Sequence, residues 1–267
     1  MGSARAAAGV RPASRAPALN ATSLESTDRV LSVALLKAAA APSVESLDAV
    51  GYRYYQLGVL DAAMTFYSRA LARNPHDVGA LDGRARIWRN WGQLDDALGD
   101  ASRATHYAPQ SAQAWNTLGT VMQLAGRSAD AADAYRHAVA LDDTAVYAMN
   151  NLCYLSFVAG DMHDAMEQCS RALLVDEDFV PARNNRGLVY AASDEPDRAF
   201  AEFSKAGPAQ ANYNVGVVLM AERKYAAAAK AFEAAYQADP GFASAYERAR
   251  RARRLALTAK EISNVSK

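Results

Sequence analysis

Cysteine is scarce: two in 267 residues, too few for a disulfide framework to replace a hydrophobic core. An excess of one charge is missing as well. Twenty-nine basic side chains balance twenty-nine acidic ones, whereas a dedicated nucleic-acid binder needs basic residues for its phosphate partner. No nucleic-acid partner is therefore expected. Long apolar runs are absent, since the stretches at 33–36 and 38–42 are interrupted by Lys37 and fall short of the roughly 20 residues of a membrane-spanning helix. No apolar segment follows the first arginines as it would in a secretory leader. The four histidines are scattered, and no His-Glu-x-x-His, Gly-x-Ser-x-Gly or phosphate-loop spacing occurs. A metal, a cofactor and catalysis thus lie outside the expectation. Hydrophobic residues at 51% with 22% charged still describe a chain able to bury a core.

What is present is repetition. Segments 60–75, 94–109, 128–143 and 162–177 begin 34 residues apart, each two positions after a glycine (Gly58, Gly92, Gly126, Gly160). Two further copies begin at Pro196 and Tyr225, where the step falls to 29 residues around Gly207-Pro208. Numbering the repeat from 1 gives six units: 44–77, 78–111, 112–145, 146–179, 180–208 and 209–242. Positions 20 and 27 are alanine in all six units. Position 8 is small throughout (Gly51, Ala85, Gly119, Cys153, Gly187, Gly216), and position 24 is mostly bulky, as at Tyr67, Tyr135 and Phe232. Small residues at 8 and 20 let two antiparallel helices approach closely. Cys153 and Cys169 hold positions 8 and 24 of the fourth unit. Packed helix axes lie about 8–10 Å apart, which usually keeps backbones too distant for a bridge, so two packed thiols are expected.

Unit 112–145 carries the pattern most fully, with Trp115, Leu118, Gly119, Gly126, Ala131, Tyr135 and Ala138. On these residues the chain resembles the tetratricopeptide repeat family, over about three quarters of its length. The resemblance implies an all-α fold, a right-handed superhelical solenoid of antiparallel helix pairs whose first helices form a concave face. It also implies a non-enzymatic protein–protein interaction scaffold. Departures are local: Asp143 and Glu177 stand where Pro75, Pro109 and Pro240 end other units, and Asp194 replaces the linker glycine. The shortened fifth unit followed by Ala211-x-Tyr-Asn-Val-Gly216 resembles bacterial repeat proteins of tight-adherence pilus and envelope assembly.

The ends differ from the repeats. Residues 1–23 read as a basic tail, which an organellar presequence can resemble, and 24–43 as a capping helix with Thr22 and Glu25 in capping-box spacing. Residues 243–267 read as a basic capping helix and tail. Its Arg248, Arg250, Arg251, Arg253 and Arg254 span two turns and cannot share one face. They form a secondary basic surface, either a solvated cap or a dock within a larger complex.

In a first helix, positions 2, 5, 9 and 12 share a face, with 6 beside it. Position 5 reads Asp48, Asp82, Asn116, Asn150, Asn184, Tyr213; position 6 reads Ala49, Gly83, Thr117, Asn151, Asn185, Asn214. An asparagine amide donates and accepts at once, so this column can hold the backbone of an extended peptide or bond neighbouring helices. Similar ladders in the resembled family bind peptide backbones. Tyr147, Tyr154, Phe157 and Tyr213 flank the column and offer contact area at low entropic cost, with core packing the alternative for Phe157. Receptors of this family for C-terminal chaperone tails use Lys at position 5 and Asn at 9. Asp48 and Tyr52 stand there in the first unit, and no other window supplies the set, which excludes that partner. Arg86 and Arg89 remain open to an isolated acidic group.

The neutral total hides an uneven distribution. Residues 1–43 carry five bases and two acids, the repeats 17 bases and 25 acids, and 243–267 seven bases and two acids. An acidic array between basic ends makes head-to-tail self-association an expectation to test.

Overall fold

The structure, a computed structural model, describes residues 27–265. Among the described residues every regular element is helical: α1 (Arg29–Ala40), α2 (Val44–Gln56), α3 (Leu60–Arg73), α4 (Val78–Asn90), α5 (Leu94–Tyr107), α6 (Ala112–Leu124), α7 (Ser128–Leu141), α8 (Val146–Ala159), α9 (Met162–Val175), α10 (Val180–Ala192), α11 (Pro196–Ser204), α12 (Pro208–Ala221), α13 (Tyr225–Ala238) and α14 (Ala243–Val265).

Short polar side chains set many of the starts. Asp28, Ser43, Asp77, Ser111 and Asp161 each accept a hydrogen bond from the backbone N–H three residues on, at 2.8–3.2 Å. This satisfies a donor that the first helical turn leaves without a partner. Thr22 and Glu25 lie outside the described residues; the cap of α1 within them is Asp28. Gly58, Gly92, Gly126 and Gly160 turn the chain between paired helices with φ from 74° to 84°. Asp194 and Arg223 hold the equivalent turns at φ 62° and 59°, a conformation that costs a residue with a Cβ about 1–2 kcal/mol. In the fifth unit the second helix, α11, is cut to nine residues. Gly207 then turns at φ 92° and Pro208 opens α12.

The chain falls into two compact units, Met1–Ala104 and Thr105–Lys267. In the first, α1 packs on α2, and α2, α3 and α4 pack on one another. In the second, α6 pairs with α7, α8 with α9, α10 with α11 and α12 with α13, while α14 covers α13. Successive first helices of this unit, α6, α8, α10 and α12, also touch.

One contact recurs inside the pairs. A Cβ built on Gly51, Gly119, Gly187 or Gly216 would meet the ring of Tyr67, Tyr135, Phe203 or Phe232 at 2.8, 2.7, 2.3 or 2.7 Å. Each ring therefore lies against bare backbone, and all four are buried. In the second repeat the two positions hold Ala85 and Ala101, both buried.

The fourth repeat corrects an expectation. Cys153 and Cys169 are joined in a disulfide, with Cα atoms 5.3 Å apart. The sequence expectation took the spacing of average helices. Small side chains at positions 8 and 20, here Cys153 and Ala165, bring these two backbones within bridging range.

This pairing rule makes a stability prediction. Cys153→Ala with Cys169→Ala removes the bridge and leaves a void, at a cost of about 3 kcal/mol for a loop of this length. Cys153→Gly with Cys169→Phe recreates the pair of the fifth repeat and recovers part of that loss. Thermal unfolding of the two double variants checks this; equal melting temperatures would contradict it.

Candidate functional site

Positions 5 and 6 of neighbouring first helices meet wherever those helices touch in the second unit. Asn151 donates through Nδ2 to Asn116 Oδ1 at 3.0 Å, Asn185 to Asn150 Oδ1 at 2.9 Å, and Asn214 to Asn184 Oδ1 at 2.9 Å. The partner always lies in the preceding repeat, 35, 35 and 30 residues back. The deletion in the fifth unit leaves this contact intact, because it shortens α11 and not the first helices.

The bridges give the two positions different parts. Each position-6 amide spends one N–H on its neighbour. Each position-5 amide accepts through oxygen, and its Nδ2 makes no hydrogen bond among the described residues and is not sealed from solvent. Asn116, Asn150 and Asn184 therefore present two N–H donors apiece, with the amide plane held through its own oxygen. Asn214 Oδ1 in turn accepts from Gln210 Nε2 at 2.9 Å.

The flanking aromatics separate into free and packed rings. Tyr147 is 66% exposed and lies edge-on to Phe179 at 5.1 Å, and Tyr154 is 41% exposed. Phe157 is half-buried against the Cys153–Cys169 cluster. Tyr213 is half-buried: its ring stacks on Phe242 at 4.7 Å, meets Phe232 edge-on at 5.4 Å and carries Arg248 over it at 5.4 Å. It belongs more to packing than to the face.

A trough opens beside the column, with a cavity of about 520 Å³. Its walls are Tyr154, Phe157 and Val158 of α8, Leu188 of α10, and Val217 and Val218 of α12. Ala191, Ala192 and Ala221 also line it, and their small side chains leave the space unfilled. Of this lining the sequence pointed to Tyr154 and Phe157 but not to the three alanines. The available signal was alanine at both 12 and 13 of the fifth unit, where the fourth has Phe157 and Val158.

A tetratricopeptide repeat family model matches residues 84–146 and 197–241. The crystal structure of the APC/C hetero-tetramer Cut9-Hcn1 superposes with TM-score 0.71 at 18% identity, over 86% of this chain and 47% of that one. This chain thus spans about half of that structure. A tetratricopeptide repeat protein from Parabacteroides merdae superposes with TM-score 0.64 at 16% identity, over 86% and 95% of the two chains. Two segments of this chain thus match tetratricopeptide repeats, and the solved structures extend the same fold over most of the chain. The structure of MamA is also similar, with TM-score 0.50 and 24% identity over 59% of this chain and 92% of that one. At such identities the likeness shows the fold alone. No curated protein matches the chain. A tetratricopeptide repeat fold supports a protein–protein interaction scaffold. Among the described residues no helix is long and apolar enough to cross a membrane.

The five arginines of the last helix are not equivalent. Arg253 pairs with Glu233 at 2.6 Å, Arg250 lies 3.9 Å from Glu247 and over the Tyr246 ring, and Arg248 covers Tyr213. Arg251 and Arg254 are exposed with no ion pair among the described residues. Arg86, expected to be open to an acidic group, is engaged by Asp82 at 2.9 Å.

In the first repeat position 5 is acidic and the following position 6 is Gly83, so no asparagine reaches back. Asp48 shows the consequence. Its Oδ1 is buried without a hydrogen-bond partner, and the α4 backbone at Gly79 leaves a Cβ only 2.8 Å from its Oδ2. Burial, reinforced by Asp77 and Asp82, pushes its carboxyl up to about 6. The folded chain then holds this proton more tightly than the unfolded chain does. The group favours folding fully below pH 3.8, and that contribution disappears as pH rises through about 6. Asp48→Asn should therefore stabilise the protein at pH 8, by about 1 kcal/mol once screening of a partly exposed group is allowed for. At pH 3.5 it should change little. Denaturant unfolding at the two pH values tests this; an equal effect at both would contradict it.

Proposed function

We propose that this protein is a non-enzymatic scaffold that binds an extended, largely uncharged segment of a partner protein along the first-helix face of its second unit. The observation that supports this is the column of three half-buried amides, Asn116, Asn150 and Asn184, each with an Nδ2 that makes no hydrogen bond among the described residues and an oxygen fixed by the next repeat. A peptide carbonyl is the matching acceptor. Packed helices lie about 8–10 Å apart, and one turn of a polyproline-II strand advances about 9 Å in three residues. Every third carbonyl of such a strand can meet one amide, which holds the backbone whatever its side chains. Asn151, Asn185 and Asn214 act as positioning residues, and Tyr147 and Tyr154 supply side-chain contact. The Cys153–Cys169 bridge supports an oxidising compartment, since the cytosol keeps such pairs reduced.

The test uses peptides selected from a random display library against the folded protein. Changing Asn116, Asn150 and Asn184 together to Ala should weaken every selected peptide about tenfold or more, at about 0.5–1.5 kcal/mol per hydrogen bond, and should also lower the melting temperature, because the three bridges lose their acceptors. Changing Asn151, Asn185 and Asn214 to Ala removes the same bridges but keeps the position-5 donors, so it should lower the melting temperature as well while weakening the peptides less. Unaltered binding by the folded first variant sinks the reading.

A further inference from the structure

We propose that the trough between α8, α10 and α12 is a specificity pocket that takes two adjoining large apolar side chains of the bound segment, next to a lysine or arginine. The proposal rests on peptide binding along the first-helix face and names the chemistry of the peptide. The cavity of about 520 Å³ falls within the size range of ligand pockets, and its walls are apolar and aromatic. Tyr154 and Val158 in it remain 41% and 63% exposed, so apolar surface stays open to water there.

Charge decides the rest of the occupant. Two carboxylates complete the lining, Asp194 and Glu222, and both are exposed. Glu222 is paired with Lys224 at 2.9 Å. Asp194 makes no ion pair among the described residues, although the Lys224 ammonium interacts with it electrostatically, and it holds a left-handed φ of 62° where four other repeats place glycine and the sixth places Arg223. A peptide cation beside the apolar pair would meet this carboxylate as the apolar side chains leave water. An acidic residue in the same place would be repelled.

The experiment uses the full chain and three fluorescein-labelled synthetic peptides with identical Gly-Ser flanks, carrying Leu-Phe-Lys, Leu-Phe-Glu or Ser-Ser-Lys at the centre. Fluorescence anisotropy should show Leu-Phe-Lys binding about tenfold or more tighter than either of the others. Asp194→Asn, which keeps a residue tolerant of the left-handed turn, should bring Leu-Phe-Lys and Leu-Phe-Glu together. Ala192→Phe, at an exposed helix end, should fill the trough and abolish the preference for Leu-Phe-Lys over Ser-Ser-Lys. Equal binding of the three peptides, or no binding at millimolar peptide, overturns the proposal. If the three bind equally and the Asn116, Asn150, Asn184 variant still loses them all, the trough assignment fails while the amide column stands.

Discussion

The contact between position 8 of a first helix and position 24 of its partner is the constraint from which the rest follows. A ring pressed against a glycine fixes how closely two helices approach, and it does so in four of the six repeats. The second repeat closes the gap with Ala85 and Ala101 and the fourth with a covalent bond. Three chemical solutions satisfy one geometric demand. Because each pair has a set thickness, the next first helix arrives at a set place, and side chains one step apart in the repeat can meet across the seam.

The asparagines use that seam. A neutral amide is suited to it because it can donate on one side, accept on the other and still keep donors for a ligand. Where the repeat places an acid at position 5 and glycine at the next position 6, the same geometry leaves a carboxylate without a donor, as at Asp48. The acid is then held in a setting that favours its protonated form. One structural register thus yields an amide face in one unit and a strained acidic position in the other. The difference lies in the residues at positions 5 and 6.

Period, register and turn positions were legible in the sequence, because a repeat of 34 residues displays the same steric demand several times over. The positions of the asparagine column were legible for the same reason. Which asparagine donates to which was not, since that depends on the stagger between adjacent helices, and a reading along one helix does not contain it. The disulfide was missed because an average helix spacing stood in for the tighter one that Cys153 and Ala165 permit. Likewise Ala191, Ala192 and Ala221 stand out only in three dimensions, where three helices leave a space around them. Arg248 reads as one of five cap charges, yet its contact with Tyr213 extends the seam to the last helix.

The division of labour between the two asparagine positions is the centre of this account, and side-chain amide exchange measures it directly. In a nitrogen-15 NMR experiment on the free protein, one Nδ2 proton of Asn151, Asn185 and Asn214 should exchange slowly with solvent. Both protons of Asn116, Asn150 and Asn184 should exchange at the rate of exposed amides. Slow exchange at the position-5 residues, or fast exchange at all six, would contradict it.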